Sequence, residues 1–592
     1  MMRTDKKSGS PWQTISLDQA LDIAAEKLLH FRDTIGPASI LNYRCGGSMG
    51  IMKSVTDYFF QEFGPTTIKW GDICAGAGDA AQETDFGLAD SNDFFDLHNA
   101  KTILLWGKNV YVSHVHLIPE LKKARSNGAR VILIDPVQHR TTQLCDDYVQ
   151  VTPGGDAALA FAMSRLALDK QAWESSADEY CDHLSEYTSL LRSKTAIEWA
   201  ALAGVSSEQL ERLTEAYTEG PSTVLVGWGM QRRPNGAAIV RAIDALACVT
   251  GNIGIAGGCV SFYFARKSAY NLSFVNKSLA PRTIPEPLLG PGIMEATDPP
   301  IKMIWCSAGN PVATIPESNT TREAMMDRFT VVVDSFLTDT AACADLFIPT
   351  TTMLEDNDLL GAYGHHFIAE SRPVIEPPED VLTDYEMLHR LAPRVGVGGW
   401  MTDSVETWKR RLLEDVAAQG ITLESLFEGA VQNPVSPKIV FEGRKFATES
   451  GRANLIHQYD HPAPRTDDQY PLRLMAIATD KAQASQWLPE DQVGPAPIVL
   501  HPDSAAGFND GDLVVVESQL DQLTVQLQFD SEQRTDVAIM EKGGWVSTGR
   551  CSNCLTKAEM TDQGGGAVYY DTPVRIRALR NDERDKAESS SP

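Results

Sequence analysis

Cys74 has the surroundings of a residue that could do chemistry. It lies in Trp70-Gly71-Asp72-Ile73-Cys74-Ala75-Gly76-Ala77-Gly78-Asp79, where three glycines around one thiol leave the backbone open to a large ligand. A thiolate is a soft metal ligand and a nucleophile, although most solitary cysteines only fill space as small apolar side chains. Asp72 is a second candidate donor, and Cys45, in Cys45-Gly46-Gly47-Ser48-Met49-Gly50, is a third. Asp79 and Glu83 stand one helical turn apart, which makes a solvated face more readily than an acid–base pair. Cys551 and Cys554 have the spacing of a metal pair, but no second pair accompanies them, so two small apolar side chains in a reducing compartment are the simpler reading. His365 and His366 are adjacent and point to opposite sides of an extended chain, so only one can face a site. We take His365 as that one, with a substrate or proton-relay role suited to a group that titrates near neutrality.

Two acids signal a different chemistry. Asp135 ends the apolar run 131–134 (VILI) and Asp334 ends the run 330–333 (TVVV). Upstream of the first, residues 102–106 (TILLW) lead into Gly107-Lys108-Asn109 and a helix near 113–126. Upstream of the second, residues 301–306 (IKMIWC) lead into Ser307-Ala308-Gly309-Asn310 and a capped segment over 317–327. Run, turn, helix, run, acid is the pattern of a β-α-β unit in a parallel sheet, whose ligands bind at the carboxyl ends of the strands. Trp106 to Asp135 is 29 positions, and so is Trp305 to Asp334. A matched pair of units predicts two nucleotide-like groups, or one ligand with two similar ends. No GxGxxG is present, so a conventional nicotinamide site is not indicated.

The rest of the chain supplies the frame. Residues 16–32 carry apolar positions at helical spacing behind Ser16, and residues 39–43 (SILNY) read as a strand entering the Cys45 loop. Pro153-Gly154-Gly155-Asp156 precedes a helix over 157–168, with Asp156 placed to cap it or to meet a ligand amine. Residues 223–226 (TVLV) enter Gly227-Trp228-Gly229-Met230-Gln231, and a helix over 237–249 follows. The Pro-rich segments 281–300 and 375–378 read as surface crossings. Beyond about residue 434 the texture changes to short strands, 498–500, 513–518, 524–529 and 537–540, which predict a separate β-barrel-like domain. The charged, Ser-rich residues 580–592 predict a disordered tail.

With 592 residues, 43% hydrophobic and 22% charged, the composition is that of a soluble globular protein of several domains. A formal charge of −27 argues against a nucleic-acid partner, because phosphate binding needs clustered Lys and Arg. No apolar run approaches the ~20 residues that span a bilayer. The start of the chain, MMRTDKKSGSPW, has no apolar signal core, so the expected compartment is the cytoplasm.

Taken in order, these segments resemble the large catalytic subunit of the DMSO reductase superfamily, molybdenum or tungsten enzymes with two molybdopterin guanine dinucleotide cofactors. The similar motifs run from ISLDQALD (15–22), WGKN (106–109), IDP (134–136) and PGGD (153–156) through GWGMQ (227–231), TGNIG (250–254) and AGNP (308–311). DSFLTDTA (334–341), DLFIP (345–349) and NCLT (553–556) complete the set. The resemblance implies an α/β fold with two pseudo-symmetric Rossmann-like dinucleotide-binding domains and a C-terminal β-barrel. Residues 12–100 with 296–395 would hold one dinucleotide and the metal-ligand loop, 101–295 the other, and 430–579 would cap the cofactor. It implies that Gly107, Asn109, Asp135 and Asp156, with Gly229, Met230 and Gln231, serve one dinucleotide. Gly309, Asn310, Asp334 and Thr338 would serve the other, while Thr479 and Asn553 of the barrel touch the pterins.

Cys74 stands where this family carries its protein ligand to the metal. The implied chemistry is two-electron oxygen-atom or hydride transfer on a small substrate. The four-Cys segment around a [4Fe–4S] cluster that usually opens the family is missing before Trp12. No iron–sulfur cluster is therefore expected in this chain: either the cluster is absent, or another chain supplies it, or the start is truncated, and electrons need another route, such as an iron–sulfur or other electron-transfer partner subunit. Ala75 stands where formate dehydrogenases place His, which disfavours formate. Asp480 stands after Thr479 where many members carry a basic residue near a pterin phosphate. The alternative is a structural or electron-relay subunit that keeps the fold without the metal. The Cys74 loop and both guanine-site acids argue against it, since a scaffold needs neither.

Overall fold

The two acid-terminated runs lie in two separate parallel sheets. The computed structural model describes residues 1–581 and residue 583, so most of the predicted tail lies outside the described residues. Contacts divide the chain into two compact units, Met1–Trp70 with Arg266–Ser436, and Gly71–Ala265 with Pro437–Pro592. The division falls after Trp70 and after Ala265, so the Cys74 loop travels with the unit of Asp135 and not with that of Asp334.

In the first unit six parallel strands are ordered Leu346–Pro349, Phe329–Asp334, Met303–Ser307, Ile40–Arg44, Thr67–Trp70 and Thr283–Pro285. The order runs outward in both directions from the pair Ile40–Arg44 and Met303–Ser307. That pair is the topological switch point, where the following loops part and leave a crevice at the carboxyl edge. Met303–Ser307 is buried along its whole length, which is why it reads as an unbroken apolar run rather than an alternating one. The helix Leu17–Thr34 packs its Leu21, Ala24 and Leu28 into this core. Ser16 and Gln19 exchange side-chain and backbone hydrogen bonds to start it, a capping box worth about 1 kcal/mol. The segment 281–300 is not merely a surface crossing. Thr283–Pro285 is an edge strand and Leu289–Glu295 a helix, prolines included, because an edge strand tolerates a missing N–H.

In the second unit five parallel strands are ordered Asp147–Val149, Arg130–Ile134, Thr102–Trp106, Ser222–Val226 and Cys259–Ser261. Here the switch point lies between Thr102–Trp106 and Ser222–Val226. The same unit contains a closed barrel of Leu472–Ile477, Val537–Glu541, Ala496–Leu500, Gln522–Phe529, Leu513–Glu517 and Thr572–Ala578. Its interior is apolar, with Leu474, Ile498, Val514, Leu527 and Val574 fully buried. Closure depends on two strands that the sequence pattern did not reveal, Leu472–Ile477 and Thr572–Ala578, which pair antiparallel and leave no open edge. Asp562 ties the barrel to the sheet part by accepting from Ala237 N (2.8 Å) and Ala238 N (3.0 Å) at the start of helix Gly236–Val249. The buried Arg233–Asp571 pair, at 2.8 Å, is a second tie.

Candidate active site

The same hydrogen-bond circuit is built at the carboxyl edge of each sheet. Asp135 Oδ1 accepts from Val137 N at 2.9 Å, and Asp334 Oδ1 accepts from Phe336 N at 3.1 Å. Each is an Asx turn that bends the chain away from its strand. Four residues on, His139 or Thr338 caps the short helix that follows. Six residues on, Thr141 donates to Asn109 Oδ1 (3.3 Å) and Thr340 to Asn310 Oδ1 (2.7 Å). The same hydroxyls accept from Val110 N and Val312 N, both at 3.1 Å. One threonine in each unit thus clamps the acid loop to the Gly-Asn loop. Neither was predicted, although an acid followed six positions later by Thr, in both units, was legible.

The circuit also corrects the spacing argument. Trp106 is the last residue of its strand and pairs with Ile134, whereas Trp305 stands two residues before Ser307, which pairs with Val333. The two tryptophans are not equivalent, and their equal distances to the acids coincide by chance. The equivalent positions are Gly107 and Ala308, both left-handed at φ 66° and 55°, and Asn109 and Asn310.

Asp135, Asp156, Asn310 and Thr338 are buried, and Asp334 is half-buried. Burial pushes the Asp334 carboxyl up to about 6. Burial raises Asp156 as well, opposed by the Arg233 cation and by the Trp106 indole N–H, 2.9 Å from Oδ1. Across the switch point of the second unit, Gly227 N donates to Trp106 O at 2.7 Å, and a Cβ on Gly227 would lie 1.7 Å from Gly107 O. Only glycine permits that approach. It brings Gly107, Gly229 and the buried Met230 into one loop cluster, with Met230 covering Gly107. In the first unit Gly309 packs against Cys45, which sits in the loop after Ile40–Arg44.

Cys74 occupies the turn before helix Gly76–Phe86 and is half-buried. Asp72 Oδ1 accepts from Cys74 N (2.5 Å) and Ala75 N (3.0 Å), so that oxygen of the rival donor fixes the turn. Gln231, 1% exposed, accepts from Ala77 N (2.9 Å) and Gly78 N (3.2 Å) and donates to Cys74 O (2.6 Å) and Trp228 O (3.2 Å). All four hydrogen-bonding positions of its amide are committed to protein, so Gln231 holds the Cys74 loop where a cofactor contact was expected. Gly564-Gly565-Gly566 of the barrel region lies backbone to backbone against this loop. A Cβ on Gly71 would be 2.4 Å from Gly565 O, and one on Gly76 would be 2.6 Å from Gly564 O. Three consecutive glycines were visible in the sequence and went unread.

Charge gathers near the thiol. Burial pushes the Lys542 ammonium down to about 7, with Arg232 adding to the push and Cys74 opposing it. Burial also works against the Arg232 charge, but Tyr570 and Cys74 outweigh it and hold that guanidinium above its ordinary value. Asp79, one turn into the helix, is pushed up to about 7 by burial, with Asp72 and Glu83 adding. Among the described residues no three His, Cys, Asp or Glu side chains converge on a point. A metal at Cys74 therefore needs its other donors from a cofactor.

The remaining candidates lie as follows. Cys551, Asn553 and Cys554 are buried around the turn Ser552–Cys554. Thr479 is half-buried beyond strand Leu472–Ile477 and accepts from Lys481 N at 3.3 Å. Asp480 is exposed, and the basic residue of this stretch is Lys481, paired with Glu541 at 2.6 Å. His365 and His366 belong to the first unit. His366 is 3% exposed, and His365 is half-buried with Nδ1 accepting from Phe367 N at 3.1 Å.

Residues 1–394 match the family model of molybdopterin oxidoreductases, and residues 477–573 match that of the molybdopterin dinucleotide-binding domain. The chain is a molybdopterin oxidoreductase. It belongs to the DMSO reductase superfamily and is a molybdenum- or tungsten-dependent enzyme, which sets aside the non-catalytic alternative. It is 29% identical to the probable oxidoreductase YyaE of Bacillus subtilis, over 97% of this chain and 90% of that one. It is 28% identical to the dimethyl sulfoxide reductase DmsA of Haemophilus influenzae, over 86% of this chain and 70% of that one. Its fold is similar to that of acetylene hydratase from Pelobacter acetylenicus, with TM-score 0.82 and 18% identity over 96% of this chain and 90% of that one. The donor set of this molybdopterin oxidoreductase fits such a cofactor: one thiol in a glycine-walled turn, with a cation beside it whose buried Arg232 Nε has no hydrogen-bond partner. No helix among its described residues is long and apolar enough to cross a membrane.

Proposed function

We propose that this molybdopterin oxidoreductase binds two molybdopterin guanine dinucleotides, one in each unit, with Cys74 Sγ as the protein ligand to the metal. The observation that supports this reading is the duplicated circuit, which sets one carboxylate beside one Asn loop at the carboxyl edge of each sheet, where such sheets bind their ligands. Asp135 and Asp334 accept N–H or hydroxyl donors of a dinucleotide. Thr141 and Thr340 hold their loops, and Gly107, Asn109, Gly309, Asn310 and Thr338 line the same crevices. Asp156 accepts from the first dinucleotide beside Trp106, while Gly229, Met230, Thr479 and Asn553 contact the pterins. Asp72, Gln231 and Gly564–Gly566 keep Cys74 in one orientation. When bound, the cofactor and its metal supply two-electron chemistry, here oxygen-atom or hydride transfer on a small substrate. His365 is the proposed substrate or proton-relay group.

We further propose that the chain carries no iron–sulfur cluster and exchanges electrons through a partner subunit. No disulfide joins the cysteines of the described residues, which suits a cytoplasmic setting. Metal, pterin, guanine and iron analysis of protein made in a cofactor-competent host tests the whole reading. About one Mo or W, about two guanine nucleotides and no stoichiometric iron are expected. Recovery of a single nicotinamide or flavin would overturn it.

A further inference from the structure

Asn42 stands where an apolar side chain is the rule. Its strand, Ile40–Arg44, lies inside the six-stranded sheet of the first unit, and Ile40, Leu41 and Tyr43 beside it are buried. A buried polar group is costly there unless its hydrogen bonds are made. Asn42 is 2% exposed and its Nδ2 donates to Asp57 Oδ1 at 3.3 Å, but its Oδ1 accepts from nothing among the described residues. Thr66, also 2% exposed and one residue before strand Thr67–Trp70, has an Oγ1 in the same condition. Both residues line one cleft of about 550 Å³, a size that suits a small molecule. The sheet is its floor, helix Val55–Phe63 one wall and the turn at Lys277–Leu279 the other. Gln61 ties the walls together, accepting from Asn276 N at 2.8 Å and donating to Phe274 O at 3.4 Å. None of the residues proposed for the metal or the dinucleotides lines this cleft. Its charged groups are paired except for one. Arg44 Nε and Nη2 donate to Asp57 Oδ2 at 3.0 and 2.6 Å, and Lys69 pairs with Glu286 at 2.6 Å. Lys277 is exposed and makes no ion pair among the described residues. Phe60, Ile68, Val275 and Leu279 give the cleft apolar walls. An unmet acceptor beside the Asp57 carboxylate calls for a cationic donor, an unpaired cation at the mouth for an anion, and the apolar walls for a hydrocarbon body.

We propose that this cleft binds a small zwitterion with an apolar body, of the class of apolar α-amino acids. The ammonium meets Asn42 Oδ1 and Thr66 Oγ1, the carboxylate meets Lys277 Nζ, and the side chain lies against Phe60 and Leu279. L-leucine and L-phenylalanine are the probes, titrated into the holoenzyme by calorimetry. Glycine, which has no apolar body, and 4-methylpentanoate, which has no ammonium, are the controls at matched ionic strength. Saturable binding of at least one of the two probes is expected, with both controls weaker by about tenfold or more. The Kd of that probe should rise about tenfold in Asn42→Leu, in Thr66→Val and in Lys277→Met, and stay near wild type in the charge-keeping Lys277→Arg. Thr66→Val removes a hydroxyl that has no partner and Lys277→Met alters an exposed side chain, so these two carry the test even where Asn42→Leu does not fold. The site is refuted if neither probe binds saturably, which would leave ordered water alone as the partner of Asn42 and Thr66. It is refuted as well if 4-methylpentanoate binds as tightly as leucine, or if Thr66→Val and Lys277→Met keep the wild-type Kd.

Discussion

Cys74 and Gln231 show how differently residues disclose themselves. The thiol was legible because its neighbours are glycines along the chain. The role of Gln231 was not, because its partners Ala77 and Gly78 lie more than 150 positions away in sequence. The same holds for Thr141 and Thr340, whose chemistry exists only once the Asn loops meet them. Two outcomes follow at this scale. With Cys74 as the proposed metal ligand and two dinucleotides as proposed, Cys74→Ser nearly keeps the volume but offers the metal a harder donor, so the metal's absorption or EPR signature should change and turnover fall by orders of magnitude, with both guanine nucleotides retained. Cys45→Ser should change neither. An unchanged spectrum in Cys74→Ser, with a changed one in Asp72→Ala, would transfer the ligand role to the carboxylate. Gln231→Leu leaves Ala77 N, Gly78 N and Cys74 O without their buried partner, at about 1–3 kcal/mol per group. It should lower the melting temperature and broaden or shift the metal signature, and a spectrum identical to wild type would show that Gln231 does not position the ligand loop.

Among elements, the strands buried on both faces announced themselves and those at margins did not. Thr102–Trp106, Ser222–Val226 and Met303–Ser307 are unbroken apolar runs, legible by composition alone. Thr283–Pro285 is short and Pro-bounded, and Thr572–Ala578 alternates Val and Ile with Arg behind a proline, so neither stands out from a loop. The glycine run 564–566 illustrates an element whose shape, rather than its residues, carries the function. Gly564 and Gly549 share nearly the same left-handed φ, 71° and 69°. A Cβ on Gly564 would lie 1.8 Å from Gly76 O, whereas one on Gly549 meets nothing within 4 Å. Gly549→Ala should therefore cost about 1 kcal/mol of backbone strain. Gly564→Ala adds a clash with main chain that cannot swing away, about 1–3 kcal/mol more, and it should disturb the Cys74 turn. Equal melting temperatures for the two variants would show that the loop contact is loose.

For the whole molecule, the dominant pH effect comes from acids held protonated. Asp85 and Asp244 join helix Gly76–Phe86 to helix Gly236–Val249, both fully buried, with Asp85 Oδ2 and Asp244 Oδ2 lacking a hydrogen-bond partner. Burial raises both carboxyls, Asp85 to about 7 against the pull of Arg241, and the nearby Asp85 charge raises Asp244 further. Gln82 Nε2, 3.3 Å from Asp244 Oδ1, and Arg241 Nε, 2.6 Å from Asp85 Oδ1, are the other polar groups facing the pair. Burial likewise raises Asp79 and Asp358 to about 7 and Asp334 to about 6. Each of these acids binds its proton more tightly folded than unfolded, so the native state carries more protons between the ordinary carboxylate range near 4 and pH 7. Their contribution to stability is complete below about pH 4, is lost as pH rises through about 7, and is constant above it. The net charge of −27 adds self-repulsion in the same direction. Acids with Arg partners act oppositely but outside this window: Asp57, lowered by Arg44 in spite of burial, loses its contribution only below pH 4. The melting temperature in low-salt buffer should therefore fall from pH 5 to pH 8. In Asp244→Asn the carboxamide offers Asp85 an N–H donor that does not titrate, so the fall should be shallower than in wild type, with equal or higher stability at pH 8. A variant slope as steep as wild type would mean that this pair does not set the pH dependence, and a wild-type melting temperature that rises with pH would show that ion-paired acids govern this protein.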